Sequence, residues 1–290
     1  MTNDIIAKGP YLNHHGIKMI GLRIGIIGSG IVGSAIETCF TGTHQIFVHD
    51  TDRGTEITDV TQNTEMAYIA VPTPTLKKSG ECDTKIVESV LEQVPDGFSV
   101  VIKSTVIPGT TQRLHESFPK LKIACSPEFL RSRSAIDDYR NQGLLVVGTH
   151  HSDLAELVFE HHRMAGLIGR GDFYNVSPTL AEIVKYVKNS FYATKVVFAN
   201  QFFDLCEDFG EDWDVVREII TIPQTQIIGE SHLKAIFGDR RGFGGRCLPK
   251  DTLAIATEME KRGIEYKLLR AVLEDNERLR KLTNTDSDRP

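Results

Sequence analysis

Cys247 closes a glycine-rich run, Gly242-Phe243-Gly244-Gly245-Arg246-Cys247-Leu248-Pro249-Lys250-Asp251, with a lysine and a carboxylate within the next four residues. Glycine carries no Cβ and tolerates positive φ, so a ligand can approach the backbone of such a loop closely. A thiol held there is placed to attack a bound carbonyl carbon. The same string also reads as an ordinary surface turn that happens to contain a cysteine, and the loop alone leaves both readings open. A second group lies on a helical pattern, where Lys185 and Asn189 are four apart and therefore share a face, while Lys188 points elsewhere. A lysine on an apolar helix is often a snorkelling surface residue, so this pair too needs its surroundings.

A third group is phosphate chemistry. The β-branched run Arg23 to Ile27 enters Gly28-Ser29-Gly30-Ile31-Val32-Gly33, after which Ser34 to Phe40 has helical spacing. That is the dinucleotide fingerprint in its strand, turn and helix context: a glycine for the turn, one for the approach of pyrophosphate, and one for close helix packing. The anion would rest on unpaired N–H groups at the helix start. A second strand, Gln45 to His49, ends at Asp50, where a carboxylate would hold the adenosine ribose hydroxyls and repel a 2′-phosphate. NAD is therefore expected rather than NADP. Arg53 has two readings, a cofactor contact able to accept a phosphate or a solvated loop residue.

The elements that must position these groups follow from pattern. Apolar runs at Ala67 to Val71, Ser99 to Ile102, Ile123 to Ala124 and Leu144 to Val147 predict further strands of a parallel sheet covered on both faces. Three lead into polar turns: Val71-Pro72-Thr73-Pro74, Lys103-Ser104-Thr105 and Ser126-Pro127-Glu128-Phe129-Leu130-Arg131. Ligands of such sheets bind beyond the carboxyl ends of the strands, which makes Val71, Pro72, Thr73, Ser104 and Thr105 candidate cofactor contacts. Pro178 to Phe209 reads as one long helix joining two domains, with shorter helices near Asp212 to Ile220, Asp251 to Lys261 and Glu265 to Leu282. The expected fold class is α/β, a Rossmann-like doubly wound parallel sheet followed by an α-helical domain: 1–22 a tail, 23–176 the NAD-binding domain, 177–282 the helical domain, 283–290 a tail.

Composition excludes several classes. With 290 residues, 40% of them hydrophobic, and a net charge of −6, the chain can bury a core and offers no bulk attraction to nucleic acid or an anionic membrane. No apolar run reaches the roughly 20 residues of a membrane helix. Five cysteines, Cys39, Cys82, Cys125, Cys206 and Cys247, without a C-x-x-C disfavour a disulfide framework or a zinc ribbon, and no metal is expected. A reducing, cytoplasmic setting fits.

Taken in order, the fingerprint at Gly28, the Val71-Pro72-Thr73-Pro74 run, Lys103-Ser104-Thr105, Pro127-Glu128-Phe129-Leu130-Arg131, Lys185 with Asn189, and Phe243 to Asp251 resemble the UDP-glucose/GDP-mannose dehydrogenase family. That family oxidises a sugar primary alcohol twice with NAD, through an aldehyde and a cysteine thioester, to a uronic acid. The resemblance implies that Cys247 is the nucleophile and that Lys185 and Asn189 stabilise the oxyanion. Asp251 would orient or activate water, and Glu128 would be the hydrolytic acid/base with Thr105 nearby. Lys250 would face the cofactor, and Glu128, Phe129, Leu130, Lys185, Asn189, Phe243, Gly244 and Gly245 would meet the sugar. It also implies a nucleotide-sugar substrate and a homodimer built on the long helix. The family's third, C-terminal domain is expected to be missing, with a separate chain as one possible source of it.

The chain departs from the family in places. Ser132 stands where a glutamate usually follows Phe-Leu-Arg, Gln226-Ile227-Ile228-Gly229 lacks the usual arginine, for which Arg240 or Arg241 is a substitute on paper, and Arg246 replaces a serine. Two competing functions stand beside the main one. One is a two-electron dehydrogenase resembling the β-hydroxyacid or 6-phosphogluconate enzymes, which need no thiol; the other is a non-catalytic nucleotide-binding chain.

Overall fold

The computed structural model describes residues 11–12, 18–19, 22–76, 78–168, 172–222, 229 and 231–282. The 283–290 tail and the Gln226-Ile227-Ile228 departure lie outside the described residues, as does most of the 1–22 segment. Of the latter, strands β1 (Tyr11–Leu12) and β2 (Lys18–Met19) pair antiparallel. The chain divides into two compact units, the first Met1–Thr73 with Thr84–Glu182 and the second Pro74–Asp83 with Ile183–Pro290.

The first unit alternates strand and helix: β3 (Arg23–Ile27), α1 (Ile31–Phe40), β4 (Gln45–His49), α2 (Ile57–Thr61), β5 (Met66–Ile69), α3 (Lys85–Leu91), β6 (Ser99–Ile102), α4 (Thr110–Ser117), β7 (Lys122–Cys125), α5 (Ala135–Arg140), β8 (Leu144–Thr149), α6 (Ser152–Met164) and β9 (Asp172–Val176). The strands form one seven-stranded sheet in the order β4-β3-β5-β6-β7-β8-β9. Successive residues of each strand supply opposite faces. Ile24, Ile26, Met66, Tyr68 and Val101 enter one core with α1, while Ile27, Ala67, Ile69, Val100 and Ile102 enter the other with α2 and α3. Burial on both faces explains why the runs are continuously apolar.

The sheet departs from the parallel expectation at one pairing. β8 runs antiparallel to β7, and β9, a strand that the sequence reading missed, runs parallel to β8. From Cys125 the chain crosses only a 3₁₀ turn and the six-residue α5 before β8; a return on the same side of the sheet gives an antiparallel neighbour, whereas a parallel one needs a crossover. α1 also begins three residues before the expected Ser34, because Gly30 serves as its N-cap.

A buried polar cluster lies inside this unit. Tyr68 Oη is 3.2 Å from His161 Nδ1, and Tyr139 Oη is 2.9 Å from His162 Nε2. The Lys103 ammonium sits 5.8 Å from the centre of the Tyr139 ring. Burial pushes His44 down to about 4 and, with Lys103, His162 down to about 3, and it takes His161 well below the ordinary imidazole range. Each depressed histidine binds a proton in the unfolded chain before it does in the folded one. The stability it contributes is complete above pH ~6.5 and declines as pH falls toward 4, by up to about 1.4 kcal/mol per pH unit per histidine. Thermal midpoints should therefore be level above pH 7 and fall steadily from pH 6.5 to pH 4.5, before ordinary carboxylates titrate. A flat profile over that interval would show that these imidazoles are not held neutral by the fold.

Helix α7 (Pro178–Phe209) begins in the first unit and continues into the second, which adds α8 (Trp213–Ile220), the hairpin β10 (Ile236–Phe237) and β11 (Arg240–Arg241), α9 (Leu248–Lys261) and α10 (Lys267–Leu282). Its core joins Ala193, Val196 and Val197 of α7 to Phe243, Val272 and Leu279. Pro74–Asp83 folds onto α9 in this unit: Thr75 bridges Cys82, Glu81 pairs with Lys261, and a Cβ at Gly80 would lie 2.5 Å from Thr257 Oγ1.

Candidate functional site

In the first unit the glycine loop has the shape its spacing predicts. Gly28 has φ of +95°, and a Cβ there would sit 2.7 Å from the Ala70 carbonyl oxygen; a Cβ on Gly33 would run into the Gly28 carbonyl. At Gly30, by contrast, a Cβ would meet nothing within 4 Å. The first and third glycines are thus required by packing, and the second leaves open space beside the first turn of α1, where a pyrophosphate fits. Ile31 is exposed at the helix start, while Val32 packs against the core.

Asp50 closes the other side of this cradle. Its carboxylate accepts the Ser29 N–H at 2.6 Å and the Asp52 N–H at 2.9 Å. These amides, Asp52 first and then Ser29, hold its carboxyl below the usual range. The group is an ionised acceptor bonded to the glycine loop itself, with lone pairs left for ribose hydroxyls. Arg53 makes a forked pair with Glu37, Nη1 to Oε1 at 3.0 Å and Nη2 to Oε2 at 2.7 Å. The arginine that stood as a rival phosphate acceptor is thereby matched with a carboxylate. These residues fit NAD.

Beyond β5 and β6 the two polar turns are tied to each other. Ser104 Oγ donates to the Val71 carbonyl at 2.7 Å, and Thr73 Oγ1 donates to the Thr105 carbonyl at 2.7 Å. Pro72, between them, extends the first turn. Lys103, quoted in the sequence motif but given no role, is buried with its ammonium 3.2 Å from Ser126 Oγ. It anchors the turn carrying Glu128, whose Oε2 accepts the Leu130 N–H at 2.6 Å. Phe129 and Leu130 follow, both half-buried. Arg131 clamps Asp138, at 2.6 Å, and Ser132 opens the short 3₁₀ turn after it. Glu182 is a further residue that the sequence reading passed over. It is 1% exposed and accepts the Gly109 N–H at 2.6 Å and the Thr111 N–H at 2.8 Å, which caps α4 and fixes the end of the Lys103 to Gly109 loop.

In the second unit, Lys185 and Asn189 are both buried one turn apart on α7, at 4% and 7% exposure. Asn189 Nδ2 donates to Asp251 Oδ2 at 2.5 Å, and Lys250 Nζ lies 2.6 Å from Asp251 Oδ1 as an ion pair without hydrogen-bond alignment. Asp251 itself is 1% exposed. Cys247 is the N-cap of α9, half-buried and not in a disulfide, and its carbonyl accepts the Asp251 N–H at 2.8 Å. Pro249 in the first turn costs no hydrogen bond there. The structure thus brings together the Asn189 amide of α7 with the Asp251 carboxylate and Lys250 ammonium of α9, one turn beyond the Cys247 backbone.

The glycine loop before Cys247 is arranged less evenly. Phe243 is 3% exposed, its ring packed in the core, so the open part of the loop is Gly244 and Gly245. Arg246 is exposed beside them. Arg241 is drawn to α7 by Asp204 at 2.7 Å and Asn200 at 3.0 Å, so it is not a merely solvated residue. Asn276 of α10, unnoticed in the sequence, binds both backbone groups of Phe243. Its signal was there, as an asparagine at a buried position of the Leu269, Val272, Asn276, Leu279 stripe. No metal cluster occurs among the described residues, and no helix among them is long and apolar enough to cross a membrane.

Comparison with known proteins gives two family matches. Residues 51–165 match the NAD binding domain of the UDP-glucose/GDP-mannose dehydrogenase family, and residues 179–278 match that family's central domain. The chain is 35% identical over 224 residues to the UDP-glucose 6-dehydrogenase of Rickettsia felis, covering 74% of this chain and 48% of that one. It is 30% identical over 308 residues to the UDP-glucose 6-dehydrogenase AglM of Haloferax volcanii, covering 88% and 70%. Among solved structures it is similar to a UDP-glucose dehydrogenase from Pyrobaculum islandicum, with a TM-score of 0.78 and 27% identity over 95% of this chain and 70% of that one. The chain spans about half the length of several curated relatives it matches, 48% for the Rickettsia felis protein.

Proposed function

The chain belongs to the UDP-glucose/GDP-mannose dehydrogenase family, and on that footing we propose that it oxidises the primary alcohol of a nucleotide sugar to the acid in two NAD-dependent steps through a thioester on Cys247. The observation that carries this reading is the Asn189, Asp251 and Lys250 cluster, whose buried carboxylate stands one helical turn beyond Cys247. A two-electron dehydrogenase has no use for a thiol in that position.

When bound, NAD supplies the hydride acceptor for both oxidations. The first step removes a proton from the alcohol and a hydride from its carbon, leaving an aldehyde. Cys247 then adds to the aldehyde carbon, and the oxygen becomes an oxyanion and then a thiohemiacetal hydroxyl. Lys185 and Asn189 supply the N–H donors for that oxygen, and buried donors of fixed orientation are worth far more than solvated ones. Loss of a second hydride from the same carbon, with the hydroxyl proton, gives the thioester. Water breaks the C–S bond to release carboxylate and thiol. Asp251, one turn beyond Cys247, orients that water and takes its proton. Gly28, Ser29, Gly30, Gly33, Asp50, Val71, Thr73, Ser104 and Lys250 are the proposed cofactor contacts, and Gly244 and Gly245 offer open backbone to the sugar.

The test is NADH produced per sugar consumed, with UDP-glucose, GDP-mannose and UDP-N-acetyl sugars in parallel. Two per sugar is the expected result. One would favour the simpler dehydrogenase, and none would favour a binding role or the need for a partner chain.

A homodimer belongs to the same proposal. Val187, Phe191, Phe198, Phe202 and Phe209 form one stripe along α7 and are 63%, 61%, 43%, 42% and 74% exposed. An apolar stripe of this kind on a lone chain is unusual and suits a self-complementary interface. Phe191→Asp with Phe202→Asp should convert a dimer to a monomer by sedimentation. A double variant that sediments like the parent would remove this helix face from the interface.

A further inference from the structure

We propose that Asn276 is a positioning residue that sets the backbone of the Gly242 to Cys247 loop and so places the open glycines and the thiol. The site's chemistry rests on the reading above; the tie itself does not. Asn276 is 6% exposed on α10. Phe243 N–H donates to its Oδ1 at 2.6 Å, and its Nδ2 donates to the Phe243 carbonyl at 3.0 Å. A side-chain amide thus pairs with both polar groups of one backbone residue, as a neighbouring strand would. No helix or sheet holds that residue otherwise, since β11 ends at Arg241 and α9 starts at Leu248.

The approach to the tie is also shaped for it. Gly242 has φ of +73°, and a Cβ there would lie 2.5 Å from Asn276 Oδ1 and 3.4 Å from Leu279 Cβ. Any larger residue would push the amide away. Phe243 then drives its ring into the core beside Val272 and Leu279 of the same helix, so α10 grips this residue by ring and backbone together. The following Gly244 and Gly245 have nothing within 4 Å of a Cβ position, and Gly245 has φ of +78°. Between the grip at Phe243 and the helix cap at Cys247 lie only two glycines and Arg246. Their conformational freedom is large, and the fixed end at Phe243 is what limits it.

The experiment compares Asn276→Ala, which loses both bonds, with Asn276→Asp, which keeps the acceptor for the Phe243 N–H and loses the donor. Hydrogen exchange of residues 243–246 is followed alongside the rate at which iodoacetamide alkylates Cys247, with Cys206 as a half-buried reference thiol in the same unit. The expected result is loop exchange at least tenfold faster in Asn276→Ala and by a smaller factor in Asn276→Asp. Cys247 alkylation should change severalfold while Cys206 is unaltered. In turnover, KM for the sugar nucleotide should rise by a larger factor than kcat falls. Circular dichroism identifies a variant that has lost its fold, in which case Asn276→Asp decides alone. Folded variants with parental loop exchange and parental Cys247 alkylation would overturn the proposal. An inactive parent chain would count against the dehydrogenase reading and leave the exchange and alkylation results to judge this one.

Discussion

Cys247→Ala is expected to lose uronic acid formation by at least about a thousand-fold in kcat, the scale on which removal of a covalent nucleophile acts, while NAD still binds. The two parts of the expectation follow from where the residues lie. Cys247 belongs to the second unit, at the cap of α9, and the glycine cradle with Asp50 belongs to the first. Half-buried and without a side-chain capping bond, the thiol can be cut back to a methyl without breaking α9, whose first turn is set by Pro249 and the Asp251 N–H to Cys247 carbonyl bond. The measurement is NADH and acid formed from a sugar nucleotide, with NAD affinity determined separately. A variant that keeps most of its turnover would favour the two-electron alternative, whose chemistry never passes through sulfur. A variant that loses NAD binding as well would show that the loop was structural and that the activity loss says nothing of a nucleophile.

The parts of this molecule that were legible in sequence are those fixed by local pattern. The bounds of β3, β4 and β6, and of the 32-residue α7, follow from continuous apolar runs and from helical spacing after Pro178. The glycine fingerprint was legible because each glycine answers a separate steric need, and the structure has a carbonyl crowding the first and third and open space at the second. Lys185 and Asn189 could be placed on one face because four residues make about one turn. What was not legible depends on long-range pairing. Asn189 and Asp251 are 62 residues apart, Phe243 and Asn276 are 33 apart, and Glu182 reaches Gly109 across 73. No spacing rule connects such residues. The antiparallel β8 was hidden for a different reason, since direction in a sheet depends on the connection and not on the strand's own residues. Phe243 shows the limit of reading a motif as a lining, because its ring is spent on the core.

The second large effect is expected at Asp251. Its carboxylate is 1% exposed, takes the Asn189 N–H at 2.5 Å and lies 2.6 Å from the Lys250 ammonium. Asp251→Asn keeps the size and removes the charge. Lys250 then loses its counter-charge, and the Asn189 N–H meets a neutral carbonyl oxygen in place of a carboxylate. The stability cost should be about 1–3 kcal/mol, as for other buried polar groups that lose a partner. Turnover should fall by at least about a hundred-fold if the carboxylate also handles the hydrolytic water. Those two effects can be separated by exchanging the residues. The double variant Asn189→Asp with Asp251→Asn retains one amide, one carboxylate and the bond between them, with the charge moved from α9 to α7. If Asp251 is only a partner for Asn189, the midpoint should recover and kcat should return to that of Asn189→Ala, which removes the oxyanion donor alone. If the carboxylate must stand one turn beyond the thiol, on the helix that Cys247 caps, the midpoint should recover and kcat should stay well below that of Asn189→Ala. Recovery of stability without turnover is the outcome expected here, because the same backbone turn that bonds Asp251 N–H to the Cys247 carbonyl ties the position of the acid to that of the nucleophile.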